Sequence, residues 1–390
     1  VSSMEGLCRD CAKKRGIDIP DTPPKSNSNK DNQNTKNNSQ SNVPPITNID
    51  MSSMSKQLET LFKDLSSNLK MENLAPINII TGDNNSGKTS VLELLQSVKN
   101  PGSFRVWREL LRKDSIDLRR GLTYYDGFYD LFDINEDEKK IAYKITTDGV
   151  KHRIEMLAQF REEEVPESYL NKIQGLSYWK EDGESERIRN ISKMKLELWD
   201  NGQKLLKTAI YDGQVRFIRP NDMGSNKKEK KVVYISPIRH AEGLLYLNAV
   251  LEKPELYEQM LSVLKDYDED IISINYDNVN VTGRGVYKIL SKSHKKALPL
   301  NVYGDGMKKA VLLKSAVIAA EDGVLLIDEF ETAIHTSAMK NTFRWILETC
   351  RKLNVQVFVT SHSKEAIDKL LKCSEKCLDD MALYTLYKKE

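Results

Sequence analysis

The octet Gly82-Asp83-Asn84-Asn85-Ser86-Gly87-Lys88-Thr89 constrains this chain more than any other feature. It has the form G-x-x-x-x-G-K-[ST], and its surroundings fit that form. The apolar run from Ile77 to Ile80 leads in as a buried strand would, and Val91, Leu92, Leu94, Leu95 and Val98 follow at helical spacing. Strand, glycine loop and helix start make a cradle of backbone N–H groups aimed at a phosphate. In such a cradle Lys88 reaches the outer phosphates and the Thr89 hydroxyl ligates Mg2+. Gly82, Asn84, Asn85, Ser86, Gly87, Lys88, Thr89 and Ser90 are therefore the expected contacts of a nucleoside triphosphate.

The remaining chemistry of such a site stands near the other end of the chain. Gly323 to Ile327 is an apolar strand closing on Asp328 and Glu329. A P-loop enzyme needs a strand-end carboxylate beside its ion, which makes Asp328 the second expected metal ligand after Thr89. Glu329 is placed to polarise an attacking water as general base. A further apolar strand, Val355 to Val359, ends in Thr360-Ser361-His362. The carboxyl ends of strands form the ligand-binding face of open α/β sheets, so His362 is expected at the γ-phosphate or the water. Lys88, Glu329 and His362 are thus the expected catalytic set. Gly304-Asp305-Gly306 precedes a helix expected to begin near Met307. A glycine pair at a helix start is a second anion site, suited to a nucleotide on a partner subunit.

Bulk properties bound the rest. The 390 residues have room for about two or three domains. A net charge of +2 excludes a global nucleic-acid footprint. No run of apolar residues is long enough to span a bilayer and the first residues lack a secretory core, so a cytoplasmic protein is expected. Cys8 and Cys11, in a short leader over residues 1–19, have the spacing of half a zinc site. Residues 20–52 are rich in Asn, Ser, Lys and Pro and read as a disordered linker. Residues 53–72 read as an amphipathic helix with Leu58, Leu61, Phe62 and Leu65 on one face.

Residues 73–390 form the expected main domain. A helix is expected from Phe104 to Leu118, and an antiparallel lobe over about 138–220. The lobe's strands are Lys140 to Thr146, His152 to Leu157, Ser192 to Leu198, Leu205 to Tyr211 and Val215 to Ile218. Val232 to Ser236 reads as a buried strand, Gly243 to Tyr267 as helical, and Ile271 to Tyr276 and Gly285 to Leu290 as strands. Arg239-His240 and the run Lys227 to Lys231 read as surface loops.

Taken together, Gly82 to Thr89, Gly304 to Met307, Val324 to Glu329 and Thr360 to His362 resemble the head domain of ABC-type ATPases. Within it they are similar to the RecF/SMC/OLD-like group of stand-alone bacterial ATPases of DNA repair and phage defence. The resemblance implies an α/β P-loop NTPase fold with a mixed central sheet, helical flanks and an antiparallel β lobe. It implies ATP with Mg2+, a homodimer sandwiching two ATP molecules, and action with DNA or an effector protein such as a nuclease. Gly304, Asp305 and Gly306 would meet the γ-phosphate across that dimer, with residues 298–390 forming the signature half. Tyr303 stands where the family carries its signature serine, and the expected helix at 53–72 stands where the family has a first strand. Two alternatives are a metal-dependent nuclease of OLD-like type and a non-hydrolysing nucleotide-bound scaffold. The acids Glu162 to Glu164 and Asp266 to Asp270 are scattered rather than clustered as a nuclease would need.

Overall fold

A computed structural model describes residues 46–50, 70–84, 86–100, 103–111, 123–129, 131–132, 139–176, 186–215, 230–236, 250, 253–277, 286–333, 339–373 and 375–387. The leader with Cys8 and Cys11, the helix expected within 53–69, and Arg239-His240 lie outside these residues.

Two sheets face each other across the helix that follows the phosphate loop. One has five strands in the order β14-β3-β13-β12-β8. Their ranges are β3 Ile77–Gly82, β8 Val232–Ile235, β12 Val324–Ile327, β13 Gln356–Ser361 and β14 Met381–Leu386. All four pairings are parallel. Side-chain alternation decides what each face covers. Ile80, Val324, Leu326 and Phe358 enter a core shared with helix α1 (Lys88–Gln96) and the second sheet. Ile77, Ile79, Leu325, Ile327, Val357 and Val359 enter a second core on the opposite face. Near-continuous apolar strands are what a parallel sheet covered on both sides requires.

The second sheet is antiparallel, in the order β2-β1-β4-β5-β6-β7. It comprises β1 Ile46–Asp50, β2 Lys70–Met71, β4 Lys139–Thr147, β5 Val150–Pro166, β6 Ile188–Asp200 and β7 Gln203–Tyr211. Parallel and antiparallel pairing thus occur in separate sheets. Short helices α2 (Phe104–Leu110) and α3 (Tyr124–Tyr129) flank the shared core, and α4 (Glu167–Gln174) caps the end of β5.

Several element boundaries differ from those expected. Ile46–Asp50 is a strand, not the end of a disordered linker, and Lys70–Met71 is a strand rather than the end of a helix. Both pairings reach far along the chain: Ile49 pairs with Met71 and with Ile145. Gln356 fastens this first strand to the parallel sheet. It is 2% exposed, donates from Nε2 to Ile46 O at 2.7 Å and Ala75 O at 3.0 Å, and accepts from Ile46 N at 2.9 Å. β5 also runs well past the expected Leu157. Its acidic end is held by cross-strand partners: Lys193 Nζ meets Glu163 at 2.5 Å and Ser192 Oγ donates to Glu162 at 2.5 Å. α2 ends at Leu110 because Leu111 is extended, and Val215 is not in a strand.

Four further helices lie among the described residues. α5 (Pro254–Lys265) packs with β9 (Ile271–Asp277), β10 (Val286–Ser291) and β11 (Leu298–Pro299), which form a three-stranded antiparallel sheet. α6 (Asp305–Ala319) lies between this unit and the second core, contributing Met307 and Val311 to one and Leu312 and Ala316 to the other. α7 (Met339–Lys352) buries the stripe Phe343, Ile346, Leu347 and Cys350, and α8 (Lys364–Cys373) buries Ala366, Ile367 and Leu370 beside it. Cys350, Cys373 and Cys377 are buried and form no disulfide among the described residues.

Candidate functional site

The phosphate loop is shaped by its glycines. At Gly82 φ is 152°, and a Cβ there would meet Leu386 O at 2.5 Å and Ser86 Oγ at 2.7 Å, so a side chain does not fit. Gly87 stands at φ 88° as the N-cap of α1. No side chain caps that helix, which leaves its first N–H groups facing the loop. Lys88 opens the helix and is 4% exposed. Its Nζ donates to Gly82 O at 3.0 Å, Asp83 O at 2.6 Å and Ser86 Oγ at 3.3 Å. Burial pushes its pKa down, while the negative charges of Asp328, Asp83, Glu329 and Glu331 push it back up. Ser86 and Ser90 are buried and Asn84 is exposed. Asn85 lies outside the described residues.

β12 and β13 bring the second set of residues to the same place. Asp328 is 3% exposed. Its Oδ2 accepts from Thr89 Oγ1 at 2.8 Å and from Tyr234 OH at 3.4 Å, and its Oδ1 accepts from Thr360 Oγ1 at 2.5 Å. Glu329 has φ 46°, a left-handed backbone costing a non-glycine residue about 1–3 kcal/mol. Three hydrogen bonds hold it there. Its N–H donates to Thr360 Oγ1 at 2.8 Å, and its carbonyl accepts from Thr332 N and Thr332 Oγ1, each at 2.9 Å. The Glu329 side chain remains 36% exposed, and its Oε1 lies 3.5 Å from His362 Nε2.

Lys88, Thr89, Asp328, Glu329 and His362 therefore gather at the carboxyl ends of β3, β12 and β13. Gly304, Asp305 and Gly306 stand elsewhere, at the start of α6. The helix begins at Asp305, two positions before the expected Met307, with Gly304 as N-cap and no side-chain cap. A Cβ on Gly304 would touch nothing within 4 Å. α6 nonetheless reaches the acid loop, since Lys309 Nζ donates to Thr332 O at 2.5 Å.

Three participants escape a reading of the sequence: Thr360, Tyr234 and Glu331. Thr360 ends a buried strand beside the histidine, and that adjacency is the signal that would have found it. Glu331 stands two residues past the acid pair. Tyr234 carries no local signal.

The donor set fits Mg2+. Hydroxyl and carboxylate oxygens are hard ligands, and Mg2+ is usually held by one or two carboxylates together with substrate phosphates. No group of three or more His, Cys, Asp or Glu placed to hold a metal occurs among the described residues. With Cys8 and Cys11 outside them, zinc gains no support.

The family model for "AAA domain, putative AbiEii toxin, Type IV TA system" matches residues 77–368, which spans both halves of this site. The chain belongs to that AAA_21 family. This AAA_21 member has a P-loop NTPase fold. It is 26% identical over 330 residues to a Helicobacter pylori protein named "ATP/GTP phosphatase", covering 77% of this chain and 83% of that one. It is 37% identical over 73 residues to an uncharacterized protein of Methanocaldococcus jannaschii, 19% of this chain and 64% of that one. Among solved structures it is similar to an SMC head bound to the C-winged helix domain of ScpA, at 12% identity and a TM-score of 0.43, covering 84% of this chain and 92% of that one. No helix among the described residues is long and apolar enough to cross a membrane.

Proposed function

We propose that the chain binds ATP with Mg2+ between the phosphate loop and the ends of β12 and β13, and hydrolyses it to ADP and phosphate. One observation carries this reading. Thr89 and Asp328, 239 positions apart in sequence, meet at 2.8 Å beside a buried lysine. Thr89 and Asp328 would hold the ion, which supplies charge neutralisation on the phosphate oxygens. Lys88 is pre-set at the loop's mouth to stabilise negative charge on the terminal phosphate. A water oxygen attacks the γ-phosphorus, the bond from that phosphorus to the bridging oxygen breaks, and ADP departs. The Glu329 carboxylate takes the water's proton, and His362 beside it orients the attack. The relative's name, "ATP/GTP phosphatase", supports hydrolysis.

Two such heads would close on two nucleotides, with the uncapped start of α6 meeting the partner's γ-phosphate. The open space around Gly304 supports this geometry. Action with DNA or an effector protein in genome maintenance or phage defence rests on the family resemblance. The nuclease alternative finds no carboxylate cluster among the described residues.

Phosphate release from purified protein tests the reading. The wild type is expected to release phosphate from ATP only with Mg2+ present, and Lys88→Ala to lose at least about 100-fold in turnover. Equal turnover by Lys88→Ala and the wild type would rule the site out.

A further inference from the structure

Glu331 has no place in the scheme above, yet it joins the two loops that carry the reacting side chains. It lies in the 3-10 turn Phe330–Ala333, just after Glu329. Phe330 anchors that turn: it is 2% exposed and packs edge-on against Phe343, with ring centroids 4.9 Å apart. From this fixed turn Glu331 Oε1 accepts the backbone N–H of His362 at 2.8 Å. A carboxylate accepting an amide makes a charge-assisted bond, about twice as strong as a neutral one. The bond crosses from the end of β12 to the end of β13. It sets the backbone from which the His362 ring reaches to 3.5 Å from Glu329 Oε1.

The other oxygen offers no second contact to the reacting groups. Glu331 Oε2 is buried and without a hydrogen-bond partner. One oxygen holds the amide and the other is buried. A side chain in this position acts through the residue it holds.

We propose that Glu331 is a positioning residue for ATP hydrolysis, seating His362 against Glu329 by clamping its backbone N–H. The inference rests on the hydrolysis reading given above. Glutamine keeps a side-chain oxygen for the amide, so it is expected to hold the clamp through a neutral bond about half as strong as the carboxylate's.

The test uses the full chain and four variants: Glu331→Ala, Glu331→Gln, His362→Ala and the double variant Glu331→Ala/His362→Ala. Glu331→Ala is expected to lower kcat by about 10–100-fold, the range for a reacting group displaced by an ångström or less. KM for ATP is expected to stay within about two-fold, because the clamp does not touch the nucleotide. Glu331→Gln is expected to retain turnover within about three-fold of wild type, since its oxygen still accepts from the amide. The double variant is expected to be no slower than His362→Ala, because residues acting as a unit are not additive.

Hydrogen exchange at the His362 amide supplies a readout independent of turnover. Exchange is expected to be slow in the wild type and in Glu331→Gln, and faster in Glu331→Ala. Should Glu331→Ala not fold, Glu331→Met, which fills similar space without a side-chain oxygen, takes its place. Additive losses in the double variant, a glutamine variant as impaired as the alanine one, or unchanged amide exchange would each overturn the assignment. A wild type that releases no phosphate would defeat the hydrolysis reading instead, and the amide exchange would still decide whether the clamp exists.

Discussion

Glu329→Gln is expected to bind ATP as the wild type does and to hydrolyse it about 100- to 10,000-fold more slowly, the contribution typical of a positioned general base. The substitution is nearly isosteric. The backbone that holds residue 329 in its left-handed conformation is tied down by Thr360 and Thr332, not by the Glu329 carboxylate. Binding therefore survives while the proton acceptor is lost. If two heads close on ATP, this variant accumulates as a nucleotide-bound dimer, visible by sedimentation as a species that the wild type forms only in passing. Rapid-quench turnover and nucleotide affinity measured on the same preparation check both halves. Turnover within about two-fold of wild type would remove Glu329 from the role of base.

Lys314→Met carries the largest expected effect on stability. Lys314 lies in α6 and is 1% exposed, and its Nζ has no hydrogen-bond partner. The ammonium sits 4.3 Å from the centroid of the Trp345 ring. Burial pulls its pKa down to about 7, against the opposing charge of Asp266. From the ordinary value of 10.5, that shift corresponds to about 4–5 kcal/mol of penalty on the charged form. The cation–π contact offsets about 2 kcal/mol. Methionine fills similar space without a charge, so a net stabilisation of about 2–3 kcal/mol is expected at pH 7.

The pH dependence follows from the sign of the shift. Below pH 7 both folded and unfolded chains carry the proton and the penalty is complete. From about pH 7 to 10.5 the unfolded chain keeps the proton that the folded chain has released, so the wild type gains stability as pH rises. Denaturant unfolding of both proteins between pH 6 and about 9 checks this. The gap between them should narrow with rising pH. A constant gap would show that the lysine is not held unprotonated.

Much of the site was legible because its parts are local patterns. The octet, the apolar run ending at Asp328 and the strand ahead of His362 each announce their own geometry within a few residues. Their order in space was not legible. β13 lies between β3 and β12, and parallel crossovers leave no short-range trace of which strands become neighbours. That order is what lets Thr360 bridge Asp328 and Glu329. β1 was hidden for a related reason. Ile46 and Ile49 are both fully buried, yet they follow a polar stretch, and what buries them lies about a hundred or more residues away in β4 and at Gln356. Composition says that a segment cannot build a core by itself. It does not say that another part of the chain will cover it. The left-handed backbone at Glu329 was likewise invisible, since glutamate has no preference for it and only the surrounding hydrogen bonds impose it.

The most direct test of the shared site is an experimental structure with Mg2+ and a non-hydrolysable ATP analogue. The terminal phosphate is expected within hydrogen-bond reach of Lys88 Nζ, with one ion touching both Thr89 Oγ1 and an Asp328 oxygen. A nucleotide bound away from the phosphate loop, or an ion that leaves Asp328 untouched, would contradict that expectation.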